Sequence, residues 1–409
     1  MPETTAVNQQ QIRAQFPALK NGFVFFENAG GSQLPKQVIE RMQSFMVDAY
    51  VQTGADYPSS DLVTETAYEA KKYANVLMNG DGAGKTLIGP STTDLIYRLA
   101  NMYRDVIETG DEIVISIANH ESNIGHWARL EGIGAQIKWW GVDPKTGDYS
   151  YDDLGDLISA KTKLVTVAHT SNLLGDVLDV RRVADMAHSV GAQVVVDGVA
   201  FAAHQAIDVQ AWDADFYALS FYKAYGPHIA ALYGKDDAWA RLKGPNHDFI
   251  KDGEFPWKFE LGCQPYEALA GVLGLADYLA FVAGSSEGSR DRATVESAFS
   301  TFRDFELPVQ KQLVDYLLTK PQVRLVGPRS SGEERHPTIC FLHDSMDSEQ
   351  VVGKVNSDKV GIRYGHMYAS RLCEVLGAPL DSGFVRISAV HYNTTEEADF
   401  LIDALDAVL

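Results

Sequence analysis

The sequence predicts an α/β protein built on a mostly parallel sheet, with a smaller α+β region toward the C-terminus. Between about residues 85 and 235, short apolar β-rich runs alternate with segments of helical period. Alternation of that length builds a parallel sheet covered by helices. Several runs, such as Val194-Val195-Val196, are apolar on both faces, as a strand buried on both sides requires. Polar residues then stand at or just after the strand ends, where open α/β sheets hold their ligands.

Taken in order, Met1 to Gln11 is polar and lacks the apolar core of a secretory leader. Gly80-Asp-Gly-Ala-Gly-Lys85-Thr86 imitates a phosphate-binding P-loop, but Asn79 stands where the first glycine belongs. It also reads as a turn entering a strand, the reverse of the P-loop order. The expected strands are Thr86–Ile88, Glu112–Ile117, Gln136–Trp140, Leu164–Ala168, Gln193–Val196, Phe216–Ser220 and Ile229–Tyr233, which makes a seven-stranded sheet. Helices are expected at Asp94 to Glu108, apolar at 95, 96, 99, 102, 103 and 106, and at Val180 to Val190. Lys243 to Gly262 is rich in Gly, Pro, Asp and aromatics without period, and reads as a long functional loop. Ala268 to Gly284 is apolar but short for a membrane span and interrupted by Asp277, so it reads as a buried helix. It opens a helical region from 264 to 320. An α+β region follows, with strands near Val323–Val326, Thr338–Leu342 and Val385–Ile387. Asn393-Thr394-Thr395 caps a last helix, Glu396 to Leu409. The large domain is placed over 21–265. Residues 1–20 and 266–409 supply the N-terminal segment, linking helices and small domain.

Composition narrows the function. Apolar residues make up 45% and charged residues 22% of the 409 residues, which are globular proportions. A formal charge of −20 argues against nucleic acid and anionic membrane as partners. Three scattered cysteines, Cys263, Cys340 and Cys373, exclude a disulfide framework and point to a reducing compartment, the cytoplasm. His120-Glu121 and His126 have the wrong spacing for a zinc helix, so no metal is expected.

Four sites carry chemistry. Gly89-Pro90-Ser91-Thr92-Thr93 joins a strand to a helix, and its hydroxyls and free N–H groups would cradle an anion; read alone it is also an ordinary N-cap. Asp197 ends a buried strand, where a carboxylate needs a cation such as a protonated ring nitrogen, unless it only caps the next turn. Lys223 follows a strand among aromatics and glycine, where desolvation would make its amine nucleophilic; the plainer reading is a surface lysine. Arg386 lies within an apolar strand, suited to a bidentate carboxylate or to a structural salt bridge. Together these are what a pyridoxal 5′-phosphate enzyme acting on an amino acid requires.

Their order and setting resemble the class V aminotransferase fold in its cysteine-desulfurase-like branch. The stretches that carry the resemblance are Phe25-Phe-Glu-Asn28-Ala-Gly-Gly31, Gly110-Asp-Glu-Ile, His120-Glu-Ser-Asn123, His169-Thr-Ser-Asn172-Leu-Leu-Gly175, Asp197-Gly and Ser220-Phe-Tyr-Lys223-Ala-Tyr-Gly-Pro. The resemblance implies fold type I of the pyridoxal-phosphate enzymes and a homodimer with shared active sites. It makes Lys223 the point of covalent attachment, pairs Asp197 with the pyridine nitrogen, stacks His120 on the ring and puts Asn172 near the ring hydroxyl. Thr92, Thr93 and Ser220 would bind the phosphate, with Ser91 and Tyr222 beside it. Arg386 would take the substrate carboxylate, with Asn28 nearby. A phosphate contact lent by the partner would fall in Glu260-Leu-Gly262-Cys263-Gln264, with Cys263 where a hydroxyl residue is usual.

Three departures bear on the reaction. Desulfurases carry a sulfur-accepting cysteine on a mobile loop; here the matching loop is Arg363-Tyr-Gly-His366-Met-Tyr368-Ala, and Tyr368 stands in its place. A phenol holds no persulfide, and Cys373 lies five residues on, in the expected next helix. Tyr222 replaces the histidine usual before the lysine, and Ala200 a glutamine usual after Asp-Gly. The machinery for carbanion chemistry is kept. The expectation is a lyase cleaving the Cβ–S bond of a cysteine-derived amino acid by β-elimination, with Tyr222, His366 and Tyr368 as candidates to protonate the leaving group or shape the pocket. An epimerase, cyclase or aminotransferase of the same fold is the alternative, and a non-catalytic cofactor- or metabolite-binding relative is a second.

Overall fold

The computed structural model describes residues 7–409, so Met1 to Ala6 of the N-terminal reading lie outside the described residues. All seven expected strands form: β1 (Gly84–Gly89), β2 (Glu112–Ser116), β3 (Gln136–Trp140), β4 (Thr162–Ala168), β5 (Gln193–Asp197), β6 (Phe216–Ser220) and β7 (Ala230–Lys235). They make one sheet in the order β1-β7-β6-β5-β4-β2-β3. The pairs among β2 to β6 are parallel, and β7 runs antiparallel between β6 and β1. Val194 and Val196 enter one hydrophobic core and Val195 the core on the opposite face. Side chains alternate across a strand, so a run with apolar residues at every position serves two layers.

The helices that cover the sheet include α1 (Lys36–Asp48), α2 (Pro58–Leu77), α3 (Thr92–Tyr103), α4 (Tyr266–Val282) and α5 (Arg292–Leu318). Helix α4 is buried almost all round, which is why its sequence is apolar without a polar stripe. Among the described residues no helix is long and apolar enough to cross a membrane. Residues 80–83 form the turn into β1, and 243–262 contain neither helix nor strand. The last helix runs Thr395–Asp406 from an N-cap at Thr394, whose hydroxyl accepts the Glu397 N–H.

A second, antiparallel sheet has the order β10-β11-β9-β8, where β8 is Val323–Val326, β9 Thr338–His343, β10 Arg363–Gly365 and β11 Phe384–Ser388. Strand β10 and a short parallel pairing of Val24–Phe25 with Val360–Gly361 have weak sequence signals, because two or three residues carry no period. The chain before residue 30 touches both cores. Phe16 packs against Tyr225, Tyr278 and Tyr392, whereas Val24 and Phe26 join the core of the second sheet.

The two sheets meet at a backbone junction. Gly175 has φ +66°, donates to Ser171 and accepts from the His336 N–H at 2.7 Å. A Cβ there would fall 2.1 Å from the Thr338 carbonyl oxygen of β9. Fully buried Arg335 donates to the Leu174 and Thr338 carbonyls at 3.1 and 3.0 Å. Gly175→Ala should therefore lose at least about 2 kcal/mol in urea unfolding, because backbone has to move. Gly191→Ala, also left-handed at φ +79° but facing open space, should lose only about 1 kcal/mol.

Candidate active site

The carboxyl ends of β1, β2, β4, β5 and β6 converge on one recess of about 540 Å³. It is lined by Ser91, Thr92 and Thr93 after β1, His120 after β2, Asn172 after β4, Asp197 at the end of β5, and Ser220, Tyr222 and Lys223 at and after β6. A larger cavity opens outside it. His120, Asn172, Tyr222 and Lys223 face both, and the outer walls add Arg363, His366, Tyr368 and Arg386.

The anion cradle is the N-terminus of α3. Ser91 is the N-cap and spends its hydroxyl on the Asp94 N–H at 3.1 Å. The Thr92 hydroxyl lies 2.8 Å from that of Ser220, so β1 and β6 present a hydroxyl pair beside free helical N–H groups. Asp197 lies in register with Ala168 and Ala218, small neighbours that leave its carboxylate room. Its Oδ1 accepts the Val199 N–H at 3.0 Å, yet burial still raises its pKa; the nearby Lys223 only partly opposes this. A buried carboxylate in that state calls for a cation.

Burial, with help from the Arg386 charge, pushes the Lys223 amine down to about 8, which favours the neutral nucleophile. The same two influences and the Lys223 charge push His120 down to about 3 through burial first, so its imidazole is neutral. His120 Nδ1 accepts the Ser122 N–H at 3.1 Å, which fixes the hydrogen on Nε2 and sets the ring plane. Asn172 donates to the Met367 carbonyl at 2.7 Å and leaves its buried Oδ1 without a partner.

Arg386 on β11 is buried. Its contacts are long: NH1 to the Asn172 carbonyl at 3.4 Å and NH2 to Glu27 Oε1 at 3.5 Å, while Nε is unpartnered. A guanidinium so poorly satisfied is ready for a bidentate carboxylate. The segment after β10 is strained. Met367 and Tyr368 have φ +48° and +59°, which side-chain-bearing residues adopt only when held. The Asn172–Met367 bond and the Glu121 N–H donated to the Tyr368 carbonyl at 2.7 Å hold them. The Tyr368 ring then lies 5.2 Å from the His120 ring. His366 Nδ1 accepts the Tyr368 N–H at 3.0 Å.

Two expected residues are elsewhere. Asn28 faces neither cavity: its side chain is consumed by Phe25, Ser388, Asn393 and Tyr392, so it ties the N-terminal segment to β11 and is not free for a substrate. Cys263 lies on an exposed turn of the 243–265 loop, accepting from Gln52, outside this chain's recess. Cys373 is buried behind the loop, with its thiol pushed up to about 12 by burial. Residues not singled out from the sequence are Ser122, which sets His120; Thr170, which lines the recess; and Glu27. Glu27 and Ser122 stand inside motifs that drew notice for their neighbours.

The recess fits pyridoxal 5′-phosphate. It joins an anion cradle, a buried carboxylate lacking a full counter-charge, an orphaned Asn172 oxygen and a desolvated amine. The class V aminotransferase model matches residues 24–401. The chain is 37% identical to the aminotransferase-like protein FGM3 of Gibberella zeae, with 98% of each covered. It is 30% identical to the cysteine desulfurase-like protein ustD of Aspergillus flavus, over all of this chain and 92% of that one. The solved cysteine desulfurase CsdA of Escherichia coli superposes with a TM-score of 0.82 at 26% identity, covering 98% of both chains. The chain belongs to the class V aminotransferase family, as a cysteine-desulfurase-like enzyme dependent on pyridoxal 5′-phosphate.

Proposed function

We propose that the enzyme is a lyase that cleaves the Cβ–S bond of a cysteine-derived amino acid by β-elimination. The observation that supports this most is Tyr368: a phenol, pinned over His120, stands where a sulfur acceptor would be needed. Cys373 and Cys340 support it as well, since both are buried and their thiols are pushed up to about 12, away from the reactive thiolate.

When bound, the cofactor supplies an electron sink for the carbanion at Cα. The chain's residues do the rest. Lys223 would hold it covalently, Asp197 would keep its ring nitrogen protonated, His120 would cover one face, and Thr92, Thr93 and Ser220 would hold the phosphate. Arg386 binds the substrate carboxylate and so aims the Cα–H bond. Lys223 Nζ would take the Cα proton. The Cβ–S bond breaks with its electron pair going to sulfur, and Tyr368, Tyr222 or His366 returns a proton to that thiolate. Hydrolysis of the released enamine gives pyruvate and ammonia, so no external oxidant or reductant is consumed. The enzyme acts as a homodimer, and the stretch around Cys263 reaches the partner's phosphate.

Incubation with cysteine S-conjugates should release pyruvate and a thiol in equal amounts, and with L-cystine pyruvate and the persulfide of cysteine. No keto acid from any of them, with Cα–H exchange in heavy water, would overturn the lyase reading in favour of epimerisation. The rate at which apoprotein takes up pyridoxal phosphate, followed by its visible band, should rise with pH and level off near 8, because uptake needs the neutral amine. An ordinary lysine would keep gaining up to about 10.4. Lys223→Ala should give neither band nor turnover. Arg386→Lys keeps the charge but loses the fork, and should lower kcat/KM by roughly tenfold to a hundredfold, chiefly through KM.

A further inference from the structure

Arg363 and Arg386 lie directly opposite each other on the adjacent antiparallel strands β10 and β11. Like charges in that register repel unless an anion stands between them. One atom, Glu27 Oε1, does so, at 3.1 Å from Arg363 NH1 and 3.5 Å from Arg386 NH2. The fold fixes its place. Glu27 bridges to Ser388, two residues past Arg386, and the preceding Phe26 carbonyl accepts the Ser388 N–H at 2.7 Å. Gly30 clears the space, since a Cβ on it would fall 2.0 Å from Oε1.

The charge balance then selects the substrate. Arg363 and Arg386 line the outer cavity, and Glu27, beside Gly30 of its wall, pairs with both and leaves the group one net positive charge. Lys223 faces the same cavity, but in the holoenzyme its amine would be taken up in holding the cofactor; His120 is neutral, and Asp381 is exposed and screened by water. An α-carboxylate on Arg386 completes the balance. A second anion on the substrate side chain would find Arg386 taken by the α-carboxylate and Arg363 already paired with Glu27. We propose that Glu27 is a specificity-determining residue, which reserves the site for amino acids without a second acidic group. This rests on the lyase reading for its substrate class, thioether or disulfide amino acids over sulfinates, and on Arg386 as the carboxylate site.

Two unreactive acids of equal chain length test it, butanoate and succinate, bound to holoenzyme and measured by calorimetry and by displacement of the visible band. Glu27→Gln should lower the succinate-to-butanoate ratio of dissociation constants by about tenfold, the worth of one charge-assisted pair. Gly30→Ala, which pushes the carboxylate out of place, should move the ratio the same way. Adding Arg363→Gln to Glu27→Gln should abolish the gain. A shift under threefold in Glu27→Gln, or an equal shift without Arg363, would overturn the proposal. Neither acid carries an amine or a leaving group, so the binding result stands or falls whether or not the enzyme releases pyruvate.

Discussion

The site depends on keeping an amine and a carboxylate out of water at the ends of neighbouring strands. Asp197 and Lys223 lie on β5 and just after β6, and burial disfavours the charged form of each. Their mutual attraction only partly offsets that desolvation. The folded chain therefore carries an amine that gives up its proton near pH 8, beside a carboxylate that lacks a full counter-charge. A cationic ring nitrogen would supply the counter-charge that the carboxylate lacks.

The arginines of the outer cavity come from the second sheet. Arg386 and Arg363 are presented by β11 and β10, and their distance from Lys223 is fixed where the sheets join. That junction is made of backbone and one buried arginine: the Gly175 turn against Thr338 and His336, with Arg335 across it. Backbone contacts of this kind leave little room for sliding, as geometry at the reacting carbon demands. Asn172 lies at the crossing point. Its carbonyl meets Arg386 and its amide meets the loop that carries Tyr368, so the same residue touches the buried arginine and the strained turn.

The turn after β10 is held from two sides. Met367 and Tyr368 adopt left-handed conformations held by bonds from Asn172 and Glu121, and the phenol is fixed against the imidazole of His120. Strain held by hydrogen bonds from neighbouring motifs is a pre-organised arrangement, with the ordering cost met during folding.

The large sheet was legible in the sequence because each buried strand must be apolar on both faces and the helices between them keep their own period. The strand-end residues Asp197, Lys223 and Ser220 were legible for the same reason, since a polar residue after an apolar run is a local signal. Strand β10, the pairing of Val24–Phe25 with Val360–Gly361, and the roles of Glu27 and Asn28 were not. Asn28 and Glu27 are adjacent, yet one is spent on holding β11 and the other faces two arginines more than 330 positions away, as the sequence separations of 336 for Arg363 and 360 for Ser388 show. Local composition determines which segments form strands and where their polar ends fall. Which of two neighbouring polar side chains is consumed in tying down a strand and which is left to pair with the cavity's arginines depends on partners distant in the chain, and only the tertiary structure decides it.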